Sequence, residues 1–192
     1  GGGDGGGGGV AVAMKSGRLA DSLVDPSRVL RLDELLSTSR HSRVYRATHL
    51  VTESRVAVKL VSADCTCDVE VTRAQLLNEI NMLAAAARPR NQSQPCPFIV
   101  HLDAHYVRGD VVWIVTELCE LGSLGQLFRE RKRALSETQA AGAFWQLCTA
   151  LAYLHLTVGI AHLDVKADNV LVTADGHVRL CDFGSAHSLA GA

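Results

Sequence analysis

Four polar residues late in the chain have the types and spacing of a phosphoryl-transfer site. In Ala161-His162-Leu163-Asp164-Val165-Lys166-Ala167-Asp168-Asn169, an Asp is followed by a Lys two residues on and an Asn five residues on. A loop of that composition can orient an acceptor hydroxyl through Asp164, neutralise a phosphate through Lys166 and hold a metal ion through Asn169. Thirteen residues after Asn169 comes Asp182-Phe183-Gly184, whose carboxylate supplies a second metal ligand. Asp-Phe-Gly alone is a weak signal. Paired with the loop at this spacing it is a strong one.

An earlier lysine fits the same chemistry. Val56-Ala57-Val58-Lys59 reads as a strand buried on both sides, where an ammonium is costly unless it is paired. Its natural partner is Glu79, on the helix face that also carries Leu76 and Leu83. A lysine snorkelling off a strand edge would give the same local pattern. Asp164, Asn169 and Asp182 in the same chain decide for the paired reading, with Lys59 on the α- and β-phosphates and Glu79 holding it in place.

These residues need a scaffold, and the apolar pattern predicts an α+β one. Val44 to Ala47 and Arg55 to Val61 read as two paired strands. Between Thr72 and Ala87, the residues Leu76, Leu77, Ile80, Leu83 and Ala84 fall at helical spacing, and Arg88-Pro89 ends that helix. Ile99 to Val107 and Val111 to Leu118 form a second strand pair, turning at Arg108-Gly109-Asp110. Ser136 and Gln139 make a capping box, and the helix they open presents Phe144, Leu147, Cys148, Leu151 and Leu154 on one face. Val170 to Val172 and Val178 to Cys181 close a short hairpin around Ala174-Asp175-Gly176. The pattern predicts a small β-rich lobe with one helix at residues 29–118, joined to the start of a helical lobe at 119–192.

Composition narrows the partners. The 192 residues carry a net charge of −1, which argues against nucleic acid or an anionic membrane surface. No apolar run approaches the ~18 residues that a bilayer span needs. The six cysteines, Cys65, Cys67, Cys96, Cys119, Cys148 and Cys181, lack CxxC spacing and read as reduced thiols of an intracellular protein. Cys181 reads as a small buried thiol, and the eight histidines show no metal spacing. Residues 1–28 open on a run from Gly1 to Gly9 broken only by Asp4, and are expected to form a disordered lead-in. The connection from Ser62 to Glu70 reads as solvated, and the Arg129 to Arg133 cluster as an exposed helix end.

Together the motifs resemble a protein kinase domain, with residues 29–192 similar to the first two-thirds of its bilobal fold. Within the kinases, His162-Leu163-Asp164-Val165-Lys166 and Thr116-Glu117-Leu118-Cys119 resemble the Wee/Myt group, which phosphorylates the glycine-rich loop of cyclin-dependent kinases and restrains mitotic entry. Gly122-Ser123-Leu124-Gly125-Gln126-Leu127 and Lys166-Ala167-Asp168-Asn169-Val170-Leu171 resemble the NF-κB-inducing kinase instead. The resemblance implies ATP and Mg2+ as cofactors and a protein substrate, a cyclin-dependent kinase in the Wee/Myt reading. It implies that Leu36, Val44 and Ala57 roof the adenine above Leu171, with Thr116 as gatekeeper and the backbone of Glu117 and Cys119 on the adenine edge. Asp164 would orient the substrate hydroxyl, Lys166 would stabilise the transferring group, and Asn169 and Asp182 would each ligate magnesium. Leu83, Leu102, His162 and Phe183 would stack as an apolar spine between the lobes, with His162 as a spine residue and not a base.

Departures from the family pattern sharpen the expectations. The three glycine positions of the nucleotide loop are Ser37, Ser39 and Ser42, within Ser37-Thr38-Ser39-Arg40-His41-Ser42-Arg43-Val44-Tyr45. Glycine serves there because the backbone must approach the phosphates closely, and because glycine takes φ > 0 freely where the loop calls for it. A residue with a Cβ pays roughly 1–2 kcal/mol for a left-handed conformation. Serine hydroxyls could donate to a phosphate, and Arg40, His41 and Arg43 add positive charge, so nucleotide binding is expected to be weakened or reshaped. Leu163 stands where many kinases have the arginine that pairs with a phosphorylated activation loop, which implies a catalytic loop that does not wait for that phosphate. Ala167 replaces a proline usual in the Wee/Myt group and removes no catalytic atom.

The chain stops eight residues after Gly184 without an Ala-Pro-Glu, and is expected to be a fragment, poorly stable and catalytically silent by itself. Its parent is then a Ser/Thr or dual-specificity kinase transferring the γ-phosphate of ATP to a protein hydroxyl. The alternative is a pseudokinase that uses the fold as a binding or scaffold module. Lys59, Glu79, Asp164, Lys166, Asn169 and Asp182 favour the enzyme, and the serine loop favours the scaffold.

Overall fold

The computed structural model of the chain describes residues 14–15, 18–19, 24–39, 42–62, 69–87, 94–131 and 135–189. The glycine run, Arg40 and His41, the segment with Cys65 and Cys67, Arg88-Pro89, and Lys132 and Arg133 lie outside the described residues.

A two-stranded hairpin, β1 (Met14–Lys15) with β2 (Arg18–Leu19), precedes the main sheet. That sheet contains β3 (Leu30–Thr38), β4 (Ser42–His49), β5 (Arg55–Ser62), β6 (Leu102–Arg108) and β7 (Val111–Glu117), antiparallel in the order β3-β4-β5-β7-β6. Its central strands are rich in β-branched residues, which suit a pleated, buried surface. Successive side chains point to opposite faces, so β5 divides its residues between two clusters. Val56 and Val58 pack with Leu30, Ala47 and Val115 on one face. Val61 joins Val107, Val112 and Ile114 on the other, beneath helix α1 (Val69–Ala87).

The second lobe starts with α2 (Leu124–Arg131) and α3 (Glu137–Tyr153). Ser136 caps α3 with both halves of the capping box formed to Gln139, as its sequence predicts. The helix runs on through a wider turn at Leu154–Val158 and stops at Gly159, whose φ of 75° is one that glycine adopts without strain. Four short strands follow: β8 (Ile160–Ala161), β9 (Val170–Val172), β10 (Val178–Leu180) and β11 (His187–Ser188). β9 pairs with β10, and β8 with β11. Leu76, Ile80 and Leu83 of α1 share one core with Leu154, Leu180 and Phe183, so a single apolar cluster spans both lobes. The two-lobe α+β expectation holds.

Three details differ from the sequence reading. Ile99 is not part of β6; it bridges Leu180, and Val100 N–H donates to Leu180 O at 3.0 Å. An apolar run specifies a strand but not its neighbour, and here β10 captures the segment. On α3, Phe144 is 67% exposed and Cys148 is also exposed. The core face instead carries Ala143, Leu147, Ala150, Leu151 and Leu154, because the two alanines let the helix approach β10 closely. Ahead of residue 29, within the expected lead-in, Asp25 caps a 3-10 turn at Pro26–Arg28, Pro26 is buried, and Arg108 pairs with Asp25. Arg108 and Ser27 hold the Asp25 carboxyl down to a pKa of about 2. An N-cap Asp and a Pro in the first turn account for this short element ahead of β3.

Candidate active site

Lys59 is placed by the strand pattern and paired by the helix. Val44 registers with Lys59, and Ala57 with Thr116, so these four side chains share the α1-facing side of the sheet. Across from them α1 turns Glu79 inward, only 6% exposed. Lys59 Nζ lies 2.7 and 2.9 Å from the two Glu79 oxygens and 3.5 Å from Asp182 Oδ1. Burial pulls the ammonium pKa down, but the Glu79 and Asp182 carboxylates outweigh it and leave Lys59 above its ordinary value. Burial pushes Glu79 upward, and Lys59 opposes that. The result is a lysine held charged between a buried glutamate and a more exposed aspartate.

The loop after β8 assembles a second group. Lys166 Nζ donates to Asp164 Oδ2 at 2.7 Å. Asn169 Nδ2 donates to both Asp164 O and Asp164 Oδ2, each at 2.9 Å. The bond from Lys166 outweighs burial and lowers the Asp164 pKa, and the bond from Asn169 adds a smaller lowering. Because Nδ2 is committed to Asp164, the acceptor Oδ1 is the Asn169 atom that a cation would use. Leu163 sits at φ 62° and Asp182 at φ 64°, left-handed conformations that cost of order 1–3 kcal/mol each in a residue with a side chain. Neither outlier was legible in the sequence, where Leu163 signalled only a missing arginine.

Two hydrogen bonds join the groups. Cys181 N–H donates to Asn169 O at 2.9 Å, and His162 Nε2 lies 3.0 Å from Cys181 O. Asp164 N–H donates to His162 Nδ1, so Nε2 carries the proton and donates to Cys181 O. Burial lowers the His162 pKa and keeps the ring neutral. Its ring meets Phe183 edge-on with centroids 5.0 Å apart, and Phe183 is fully buried. His162 thus fixes the segment that presents Asp182. Cys181, expected to be buried, is half-buried at the surface, and its thiol pKa is raised chiefly by loss of solvent.

The backbone between the lobes is pinned by a residue that sequence reasoning missed. Arg179 Nε lies 3.2 Å from both Glu117 oxygens, and His101 N–H donates to Glu117 Oε1 at 2.8 Å. Leu118 and Cys119 follow, both buried, and burial raises the Cys119 thiol to about 12. Leu121 N–H then donates to Val172 O, and Ser123 bridges Leu171, which brings Leu171 under this connection. Leu36 stands 37% exposed on β3, while Val44, Ala57 and Leu171 are half-buried. Ser37, Ser39 and Ser42 do not take left-handed φ values, so the strain expected of serine at glycine positions is absent.

Along residues 32–192 the sequence matches the model of the protein kinase domain family. The chain belongs to that family. It is 32% identical over 167 residues to the serine/threonine-protein kinase hippo of Drosophila melanogaster, an overlap covering 87% of this chain and 23% of that protein. It is 30% identical over 172 residues to the serine/threonine-protein kinase 4 homolog B of Dictyostelium discoideum, covering 90% of this chain and 14% of that protein. The kinase domain described here thus spans less than a quarter of the curated relatives it matches. Neither relative is a Wee/Myt kinase, and that subgroup reading finds no support in them. It rested on a few loop and connection residues, one of which, Leu163, is exposed and free to vary without disturbing the core.

Proposed function

We propose that this kinase domain transfers the γ-phosphate of ATP to a serine or threonine hydroxyl of a protein substrate. One observation carries the reading: Lys59 is held between Glu79 and Asp182, and Asp182 is tied through Cys181 to the loop bearing Asp164, Lys166 and Asn169. In this reading Lys59 binds the α- and β-phosphates. Asp164, ionised and oriented by Asn169, accepts a hydrogen bond from the acceptor hydroxyl and aims its oxygen in line with the γ-phosphorus. Lys166, already beside Asp164, offsets charge on the transferring group. Leu36, Val44 and Ala57 cover the adenine above Leu171, while Thr116, Glu117 and Cys119 line its edge.

Asn169 Oδ1 and the partly exposed Asp182 carboxylate fit magnesium, a hard cation commonly bound by one or two protein oxygens together with substrate phosphates. When bound it would offset the negative charge of the nucleotide phosphates. Among the described residues no group of three or more His, Cys, Asp or Glu is placed to hold a metal. Two protein oxygens plus nucleotide is therefore the arrangement these residues suit.

The relatives' names support a Ser/Thr acceptor, and nothing in them supports dual specificity or a cyclin-dependent kinase as partner. The catalytic silence expected of the sequence as it stands finds no support in a site whose charged groups are all assembled. A scaffold without turnover is the second reading, favoured by the serine loop. Magnesium-dependent ATP binding, followed as a thermal shift, should appear in the wild type and weaken in Lys59→Met and Asp182→Asn. Radiolabelled phosphate transfer should vanish in Asp164→Asn. Stabilisation by ATP without any phosphate transfer to protein would select the scaffold.

A further inference from the structure

The loop over the nucleotide site closes on its own serines. Ser39 N–H donates to Ser42 O at 2.8 Å, Ser42 N–H donates to Ser39 Oγ at 3.1 Å, and the two hydroxyls lie 2.8 Å apart. The Ser39 hydroxyl also lies 3.4 Å from Ser42 O. These contacts join two of the three positions where the family pattern has glycine, between the end of β3 and the start of β4. A glycine at position 39 has no side-chain oxygen to offer, and would leave the N–H of residue 42 open to a phosphate oxygen. Here that N–H already has a partner.

We propose that Ser39 sets nucleotide affinity in this kinase domain: its hydroxyl clasps Ser42 and withholds the Ser42 N–H from the phosphates. The inference rests on the nucleotide site described above. For the loop to cover a phosphate, Ser39 Oγ must leave the Ser42 N–H and the two hydroxyls must part. A phosphate oxygen is a charged acceptor and makes the stronger bond, so the clasp lowers affinity without abolishing it. Each neutral hydrogen bond exchanged is worth roughly a factor of two to ten. The clasp also explains how serine is accommodated here. Side-chain oxygens of Ser39 and Ser42 join the two strand ends, in place of the backbone freedom that glycine would supply.

Two substitutions grade the effect. Ser39→Ala removes the acceptor for Ser42 N–H and the hydroxyl pair together, while keeping a Cβ and so adding no glycine-like freedom. Ser42→Ala removes the hydroxyl pair alone. Ser39 is exposed and Ser42 half-buried, at the rim of the sheet and away from the core, so the fold does not depend on either hydroxyl. The experiment is a calorimetric titration of the full chain with magnesium and ATP, beside Lys59→Met as the site control. Ser39→Ala should lower Kd about fivefold to tenfold, and Ser42→Ala about twofold to threefold. A Kd unchanged or raised in Ser39→Ala, with binding still lost in Lys59→Met, would overturn the clasp and leave the nucleotide site standing. It would mean that the hydroxyls serve the phosphates as donors. No binding in the wild type or in either serine variant at millimolar ATP would overturn both.

Discussion

Asn78 Nδ2 donates to Ala186 O at 2.6 Å, across 108 residues of sequence. Asn78 precedes Glu79, and Ala186 follows the Asp182-Phe183-Gly184 turn that its own N–H closes on Phe183 O at 3.0 Å. A ring therefore runs from Asn78 to Glu79, across Lys59 to Asp182, and along the chain to Ala186. Beyond it, β11 pairs with β8, so the segment after Gly184 is held on both sides. One side-chain amide thereby ties the helix that carries Glu79 to the segment that follows Asp182.

Asn78→Ala should lower stability by about 1 kcal/mol, the net worth of one hydrogen bond. In a kinase it should also lower kcat, roughly tenfold, with a smaller change in the KM for ATP, because Asp182 and Glu79 lose register without leaving the site. Steady-state kinetics beside a thermal melt separate the two effects. A drop in melting temperature with kcat intact would assign Asn78 a purely structural role.

Removing Lys59 should strand a buried carboxylate. Breaking a buried pair costs about 3–5 kcal/mol, and exposure of the lysine side chain reduces this to about 1–3 kcal/mol here. Lys59→Met should therefore be less stable than the wild type, while Lys59→Met with Glu79→Leu should recover most of the loss. Denaturant titration of the four members of this cycle checks it. If the double variant is no better than the single one, Glu79 is not the source of the cost.

Asp164 should titrate below the ordinary carboxylate value of about 3.9. Its folded pKa is depressed by the bonds from Lys166 and Asn169, so it adds stability above the unfolded pKa. That contribution is lost as pH falls through the folded value. Lys166→Met should move the Asp164 carboxyl carbon titration, read by NMR, toward higher pH. His162, held neutral by burial, should add no limb near pH 6.5 to the rate profile. Such a limb, abolished by replacing His162, would restore it as a base.

Gly125 is a position where a methyl group does not fit. A Cβ there would meet Asp168 Oδ1 at 2.3 Å and Asp168 Cγ at 2.8 Å. Asp168 lies within the 3-10 turn Ala167–Asn169 and pairs with Arg129 of α2 at 2.8 Å. Gly125→Ala gains about 1 kcal/mol of helix propensity but incurs about 1–3 kcal/mol of overpacking. Net destabilisation, with weaker phosphate transfer as the turn carrying Asn169 shifts, is the expected outcome. A variant more stable than the wild type would show that Asp168 swings away freely.

The identities of the charged groups were legible in the sequence because their chemistry is local. Asp164, Lys166 and Asn169 share one loop, and only their types and spacing matter for placing them side by side. The strand bearing Lys59 and the helix bearing Glu79 were legible from period-2 and period-3.6 patterns, and the capping box at Ser136 from two residues. Tertiary structure decided what pattern cannot carry. It chose which neighbour captures Ile99, and which face of α3 turns inward once Ala143 and Ala150 permit close approach. It placed Leu163 and Asp182 in left-handed conformations that surrounding contacts must hold, and let Ser37, Ser39 and Ser42 avoid the strain their types foretold. Hydrogen bonds such as Asn78 to Ala186, or Tyr153 Oη to Ala86 O, join residues distant in the chain. Their partners are set by the packing of both lobes into one core, and no local signal records that packing.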